Sequence, residues 1–152
     1  MPADRPLSDR NPSDRFGRLT AQGRDNANPG GRSGFVDWEQ WESLVRLKGI
    51  TIERARGTAH PDYPDIVYPI DYGFVNGTDT VDGAEMDVFR GSAENGLVAA
   101  IFTEDARKGD LEVKLIVDCT PEEIYLVNGF INFAPELMRG RLLMRVPMRT
   151  LW

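Results

Sequence analysis

The first regular pattern of apolar and polar residues begins after residue 36 and has the spacing of an amphipathic helix. Asp37 suits an N-cap position, and Gln40, three residues on, matches the capping-box pattern. Gly49 is a typical helix stop. Between them lies an apolar stripe at helical spacing, formed by Trp38, Trp41, Leu44, Val45 and Leu47. The pattern therefore predicts a helix that its tryptophans anchor to the protein core.

Most of the chain that follows has the pattern of β-strands. Residues 50–54 alternate between apolar and polar side chains, and residues 66–75 are rich in β-branched and aromatic residues. Pro69 restricts the second stretch to a sheet edge or a bend, because proline cannot donate a ladder hydrogen bond. Turns that contain glycine or aspartate separate further candidate strands at residues 86–91, 97–104 and 111–119.

A second helix and a last strand complete the predicted elements. Thr120 suits an N-cap, Pro121 the first helical position and Glu123 the closing position of a capping box. The helix is expected over residues 122–133, and residues 141–146 are a candidate final strand. Together the elements predict a mainly β (α+β) fold, a small β-barrel of about five or six strands with two or three flanking helices.

Residues 1–34 differ in composition from the rest of the chain. They carry repeated Arg and Asp with Pro, Gly and Asn, and few large apolar residues. Such a segment cannot bury enough apolar surface to offset the entropy of ordering it, so we expect a disordered tail. Its arginines suit either an acidic partner or plain solvation. The expected organisation is therefore this tail followed by a folded domain over residues 35–152.

The overall composition is that of a globular protein and limits the classes of function. Of the 152 residues, 41% are hydrophobic and 28% are charged, and the formal net charge is −6. This acidic balance argues against nucleic acid as a partner. Cys119 is the single cysteine, which excludes an intrachain disulfide, and no apolar run approaches the roughly 20 residues that span a bilayer. We expect a cytoplasmic protein without a membrane partner.

Carboxylates are crowded at two places in the sequence. The stretch DTVDGAEMDV carries four of them just where a strand begins: Asp79, Asp82, Glu85 and Asp87. Farther along, Asp105 lies five residues before Asp110, and strand alternation gives one face to three charged residues, Asp110, Glu112 and Lys114. Hard cations such as Mg²⁺ bind carboxylate oxygens, but solvated acidic turns and charged strand faces are also common. The pattern alone leaves both interpretations open.

Several motifs occur in an order that resembles one known family. They are I-E-R at residues 52–54, HPDYPDIVYPIDYGF at 60–74 and D-G-x-x-x-D-V at 82–88, followed by an Asp-rich turn and a strand with a lysine. Over roughly residues 36–145 the chain resembles a short, divergent relative of the soluble, magnesium-dependent inorganic pyrophosphatases of the β-barrel type. The resemblance implies an OB-like barrel that hydrolyses inorganic pyrophosphate to two orthophosphates with Mg²⁺ or Mn²⁺ as cofactor.

The resemblance also implies a set of metal-binding carboxylates. The first and last acids of the family's DG motif match Asp82 and Asp87. Two further metal-binding aspartates of the family, five residues apart, match the spacing of Asp105 and Asp110. Counting back from the lysine that follows favours Glu112 in place of Asp110, so both stay candidates.

Contacts to the substrate follow from the same resemblance. Arg56, Tyr72 and Lys114 match residues that contact phosphate, and Glu53 matches an acid at the end of the family's first strand. The expected partner is pyrophosphate or another small phosphate compound. A homo-oligomer is an open alternative to a monomer.

The chain departs from the family's DG motif at one important position. Ala84 stands where the family has a carboxylate that helps to bind metal and to orient the attacking water. Glu85 and Asp87 remain as candidates for the catalytic carboxylate. Two functions therefore stay open: a pyrophosphatase, or a pyrophosphatase-like module that binds metal or a phosphorylated ligand with little or no turnover.

We predict that millimolar Mg²⁺ or Mn²⁺ raises the melting temperature of the wild-type protein. Crowded carboxylates repel one another, so a bound cation stabilises the folded state. The increase should be smaller in Asp82→Asn and Asp87→Asn, as measured by thermal unfolding with and without the cation. Equal responses of the wild type and both variants would mean that DTVDGAEMDV is a solvated acidic turn.

Overall fold

The computed structural model of the protein describes residues 36–78 and 86–152. The predictions of a disordered N-terminal tail, and those that concern Asp82, Ala84 and Glu85, lie outside the described residues. Within the described part, no helix is long and apolar enough to cross a membrane.

The described elements are mostly strands. Helix α1 comprises Trp38–Lys48 and helix α2 comprises Pro121–Asn132. A short 3₁₀ helix, Met148–Leu151, lies near the end of the chain. In chain order the strands are β1 Ile50–Arg54, β2 Asp71–Val75, β3 Met86–Arg90, β4 Leu97–Asp105, β5 Leu111–Val117 and β6 Met138–Met144.

These strands form a single six-stranded mixed sheet in the order β1-β2-β3-β5-β4-β6. Strands β3 and β5 are parallel, and all other neighbours are antiparallel. Strands β1 and β6 are the outer strands of the sheet and are not paired with each other in the part of the chain that is described. The predicted mainly β fold with flanking helices is confirmed.

Two predicted strands begin three or more residues away from their observed first residue. Of residues 66–75, only Asp71–Val75 is a strand, and the preceding segment bends, with Val67 forming a single bridge to Ala59. The bend agrees with the restriction that Pro69 imposes. Strand β6 begins at Met138 and not at residue 141, because its first residues pair with the end of β4 although their sequence, MRG, has little strand propensity.

Two apolar clusters lie on opposite faces of the sheet, as strand alternation requires. Val88 of β3 and Leu115 of β5 pack in one cluster with Trp38 of α1. The next residues along the same strands, Phe89 and Ile116, belong to the other cluster together with three residues of α2: Ile124, Val127 and Ile131. Each helix therefore covers its own face, and residues two positions from Phe89 and Ile116 point to the α2 side.

Both predicted helix caps are present. The Asp37 carboxylate accepts a hydrogen bond from the Gln40 amide at 3.0 Å. At α2, the Thr120 hydroxyl accepts from the Glu123 amide, and the Glu123 carboxylate accepts from the Thr120 amide. The same carboxylate also accepts from the Ser92 amide at 3.1 Å, which fastens the start of α2 to the segment between β3 and β4. The bonds from the amides of Gln40, Thr120 and Glu123 satisfy donors that the helix geometry would leave unpaired.

Close approach of strands β1 and β2 depends on Gly73. A Cβ atom at this position would lie 1.8 Å from the Thr51 carbonyl oxygen and 2.8 Å from the Ile52 Cα. Both neighbours are backbone atoms of β1, which cannot move away without breaking the pairing of the two strands. Glycine at position 73 is therefore a condition for the β1–β2 pairing.

We predict that Gly73→Ala lowers the free energy of unfolding by about 1 to 3 kcal/mol, the usual cost of forcing extra atoms into a packed site. Urea unfolding measures the change. The matched control is Gly129→Ala, because nothing lies within 4 Å of a Cβ atom at that exposed position of α2. This control should stabilise the protein by about 0.5 to 1 kcal/mol through helix propensity. Equal effects of the two variants would contradict the steric argument.

Candidate functional site

A lysine ammonium is buried on the α2 side of the sheet. Lys114 of β5 is only 4% exposed, and the parallel register of β3 and β5 sets it beside Asp87. Its Nζ atom donates hydrogen bonds to Asp87 Oδ2 at 2.7 Å, to Glu112 Oε1 at 2.9 Å and to the Tyr72 hydroxyl at 3.1 Å. The Tyr72 hydroxyl itself donates to Asp87 Oδ2 at 2.8 Å. These four side chains form one connected network across three neighbouring strands.

The charges within this network set the protonation of its members. Burial by itself would lower the pKa of Lys114, but the Tyr72 oxygen and the carboxylates of Asp87 and Glu112 raise it well above its usual value. Burial also raises the pKa of Tyr72, and the neighbouring ammonium only partly offsets this effect. At neutral pH the lysine is therefore charged and the tyrosine is a neutral hydrogen-bond donor.

The network forms one wall of a cavity of about 260 Å³. Three carboxylates line it, those of Asp87, Asp105 and Glu112. The cationic side chains among the described lining residues are Arg54, Arg107, Lys108 and Lys114. The described lining thus carries four cations against three carboxylates, a difference of one charge. The cavity therefore has a local excess of positive charge in an acidic protein.

Asp105 is held by the turn that follows β4. Its Oδ1 atom accepts hydrogen bonds from the backbone amides of Arg107 at 2.8 Å and Lys108 at 3.0 Å. These bonds direct the turn so that both basic side chains line the cavity. The Asp105 carboxylate therefore stabilises the turn as a hydrogen-bond acceptor.

Five of the predicted site residues meet at this cavity: Tyr72, Asp87, Asp105, Glu112 and Lys114. Of the two alternatives left open by the sequence, Glu112 lines the cavity and Asp110 does not. Asp110 precedes β5, and its carbonyl oxygen accepts from the Asp105 amide in the turn. Strand alternation does not extend to it, because the strand begins at Leu111.

Glu53 and Arg56 are placed differently from what the resemblance implied. Both are exposed, and neither lines the cavity. The backbone amide of Arg56 donates to Asp71 Oδ1 at 2.9 Å, so this position supports the bend before β2. Arg54 takes the place at the cavity that the sequence interpretation expected of Arg56. A bulge between Ile52 and Arg54 shifts the register of β1 there, and sequence alternation does not reveal it.

Sequence reasoning also missed the contribution of the turn after β4. Arg107 and Lys108 carry no strand or helix signal, and their role depends on how the turn folds around Asp105. The sequence offered one signal for them, which is that they closely follow Asp105, a candidate metal ligand. Glu85 and Asp82, the other predicted site residues, lie outside the described residues.

The carboxylates of the cavity do not by themselves fit a metal ion. In residues 36–78 and 86–152, no group of three or more His, Cys, Asp or Glu side chains is arranged to hold one. The Lys114 ammonium lies between Asp87 and Glu112, where it supplies the positive charge that a cation would otherwise provide. A magnesium site at this cavity would therefore need further ligands or a displacement of the lysine.

No protein-family model and no curated protein matches the sequence. Among solved structures, an inorganic pyrophosphatase from Neisseria gonorrhoeae is similar at 15% identity over 62% of this chain and 80% of that chain, with a TM-score of 0.48. The enzyme from Helicobacter pylori is similar at 17% identity over 63% and 83%, with a TM-score of 0.45. That from Thermus thermophilus is similar at 20% identity over 63% and 81%, with a TM-score of 0.40. Similarities of this size do not assign an activity to the chain.

We predict that Lys114→Met lowers the free energy of unfolding by about 2 kcal/mol. Removing one partner of a buried ion pair commonly costs about 3 to 5 kcal/mol, and the effect is smaller here because the Asp87 and Glu112 side chains are 20% and 43% exposed. Urea unfolding measures the loss.

The control is the double variant Lys114→Met, Asp87→Asn. Without the ammonium, the Asp87 carboxylate lacks compensation, so neutralising it should restore part of the stability. A double-mutant cycle should give a coupling of at least about 0.5 kcal/mol between the two positions. If the two substitutions lower the free energy of unfolding additively, the 2.7 Å contact between Lys114 and Asp87 contributes nothing to stability.

Proposed function

We propose that the chain hydrolyses a phosphoanhydride, with inorganic pyrophosphate as the first substrate to test. One observation carries the proposal: a cavity combines three cations outside the Lys114 network with a carboxylate that this network orients. Those cations are Arg54, Arg107 and Lys108, and the carboxylate is Asp87. The sequence motifs that resemble the inorganic pyrophosphatases support the same class of substrate.

Phosphate binding is assigned to the three cations. An arginine guanidinium binds two phosphate oxygens at once, and a lysine ammonium adds a compact charge. Negative charge increases on the leaving phosphate as the bridging bond breaks, so fixed positive charges stabilise the transition state more than the bound substrate. Arg54, Arg107 and Lys108 would supply that stabilisation from two sides of the cavity, the end of β1 and the turn after β4.

Proton transfer is assigned to Asp87. In the proposed step a water oxygen bonds to one phosphorus atom, and its proton passes to the Asp87 carboxylate. The bond between that phosphorus and the bridging oxygen breaks, and the second phosphate leaves with the bridging oxygen. Tyr72 and Lys114 hold the carboxylate in place through Oδ2, which restricts its orientation before the reaction.

Magnesium is part of what the resemblance implies, but no step is assigned to it. The described carboxylates are not arranged to hold a metal ion. When bound to a pyrophosphatase-like site, such an ion would neutralise phosphate charge and acidify a water molecule. Comparing the reaction with and without Mg²⁺ separates this contribution from that of the side chains.

A binding module without fast turnover is the second candidate, and one observation favours it. Asp87 Oδ2 already accepts hydrogen bonds from both Tyr72 and Lys114, so this oxygen is less available to accept a proton from water. Ala84 adds to this, since it lacks the carboxylate that the family has at that position. In this case the cavity would hold a phosphorylated ligand and release it unchanged.

We predict slow release of orthophosphate from pyrophosphate by the wild type in the presence of Mg²⁺. Asp87→Asn should reduce the rate by about 10² or more, because general-base assistance is typically worth about 10² to 10⁴. Ala84→Asp should raise turnover by at least about tenfold, which corresponds to about 1.4 kcal/mol of barrier. Colorimetric phosphate detection measures all three rates. If Glu85 already supplies the missing carboxylate, Ala84→Asp changes little and Glu85→Gln loses most of the activity.

The control for this assay is Glu39→Gln, which removes an exposed carboxylate of α1 on the opposite side of the sheet. Its rate should equal that of the wild type. If the wild type, Ala84→Asp and Glu85→Gln all release no phosphate above a metal-only blank with Mg²⁺ and with Mn²⁺, the hydrolase proposal fails. Calorimetric binding of pyrophosphate in the same samples would then support the binding module.

A further inference from the structure

Besides its charged side chains, the cavity has an apolar wall of rings and aliphatic side chains. Tyr68 stacks with His60 at a centroid distance of 6.3 Å and an interplanar angle of 8°, and it contacts Phe130 at 5.0 Å. Phe133, directly after α2, also lines the cavity and is 62% exposed. The aliphatic members of this apolar wall are Ile66, Ile131, Ala134, Leu137 and Met138.

The row of rings carries no charge at neutral pH. Burial and the nearby positive charge of Arg54 lower the pKa of His60, and its Nδ1 atom accepts a hydrogen bond from the Asp62 amide at 3.0 Å. An imidazole that accepts at Nδ1 is neutral, so it extends the ring row without adding a cation. His60 therefore belongs to the apolar wall and not to the phosphate-binding side.

The two arginines of the cavity lie against this wall. The Arg54 guanidinium is 5.6 Å from the centroid of the Tyr68 ring, and that of Arg107 is 5.1 Å from the centroid of the Tyr63 ring. Arg54 also donates to the Tyr68 hydroxyl at 3.4 Å, and Arg107 donates to the Tyr63 hydroxyl. Each arginine is thus fixed where charged and aromatic surfaces meet. A ligand held by these guanidinium groups has an aromatic surface directly beside its anionic group.

Inorganic pyrophosphate makes no use of the apolar wall. It is polar on every side, so when it binds the arginines the rings stay in contact with water. An organic group on the phosphate would remove this apolar surface from water, which is favourable in proportion to the area covered. The cavity of about 260 Å³ lies just below the range of about 300 to 1,000 Å³ that is usual for small-molecule sites, which limits that group to roughly one ring.

We infer that the preferred ligand is an organic phosphate, in which the phosphate faces Arg54 and Arg107 and a single aromatic or bulky apolar group packs against Phe130 and Phe133. The inference rests on the anion-binding part of the proposed function and narrows its substrate class. It does not depend on hydrolysis, because the two halves of the ligand are recognised by different walls of the cavity.

The test compares phenylphosphonate with methylphosphonate, which share the anionic group, differ in the apolar group and contain no phosphoanhydride or phosphate ester bond to hydrolyse. Calorimetric titration of the full chain should give at least about tenfold tighter binding of phenylphosphonate, which corresponds to about 1.4 kcal/mol. Arg107→Ala should weaken the binding of both compounds by a similar factor, because it removes a contact to the shared anionic group.

Two variants locate the apolar contact. Phe133→Ala should weaken the binding of phenylphosphonate by about fivefold or more, a loss of about 1 kcal/mol, and leave methylphosphonate unchanged. Its matched control is Tyr125→Ala, because Tyr125 is an aromatic residue of α2 that is 63% exposed and does not line the cavity. This control should change the binding of neither compound. Both positions are mostly exposed, so the variants are expected to fold.

Each contrary result has a distinct meaning. Equal affinities of the two phosphonates would overturn the substrate class and leave the anion site intact. A preference for phenylphosphonate that Phe133→Ala does not reduce would overturn the assignment of the apolar wall. Binding of pyrophosphate without binding of either phosphonate would overturn the inference alone. Failure of all three compounds to bind would overturn both the inference and the proposed function.

Discussion

The contact between the Lys114 ammonium and the Asp87 carboxylate is the constraint on which the site depends. A charged group that is almost fully buried destabilises the fold unless an opposite charge and hydrogen bonds compensate it. The parallel pairing of β3 and β5 provides this compensation, since its register places the two residues side by side. A slip of one residue would turn Asp87 towards the Trp38 cluster and leave the lysine with fewer acceptors. The register of the sheet therefore determines the electrostatics of the site.

The position of α2 explains why the site lies where it does. The helix covers the middle of its sheet face with Ile124, Val127 and Ile131, and ends at Asn132. The last turn of the helix and the residues directly after it line the cavity together with polar side chains of the strands. Its walls thus have two origins. The apolar wall continues the hydrophobic core, and the charged side comes from the strand ends and from the turn after β4.

This arrangement favours binding of an anion over binding of a cation in the described part of the cavity. Asp87 and Glu112 both accept hydrogen bonds from Lys114, and Asp105 is engaged by backbone amides of its own turn and by the Arg107 guanidinium at 4.0 Å. Arg54 and Arg107 lie against tyrosine rings, which fix the guanidinium groups. The two side chains therefore lose less conformational entropy when a ligand binds. A preformed set of cations next to an oriented carboxylate is the arrangement that phosphate chemistry requires. Under the proposed function, the apolar wall would add a preference for the organic group that the phosphate carries.

Local signals in the sequence predicted most of the secondary structure and part of the polar chemistry. Capping residues such as Asp37 and Thr120 and the alternation within β5 predicted elements that the structure contains, and the motifs identified Tyr72, Asp87 and Lys114, which meet at the cavity. Tertiary structure decided which neighbours of these residues share the site. The bulge in β1 selects Arg54 and not Arg56, and the start of β5 at Leu111 excludes Asp110 in favour of Glu112. Strand register, bulges and turn geometry depend on pairing between distant segments, and so no pattern within one segment can specify them.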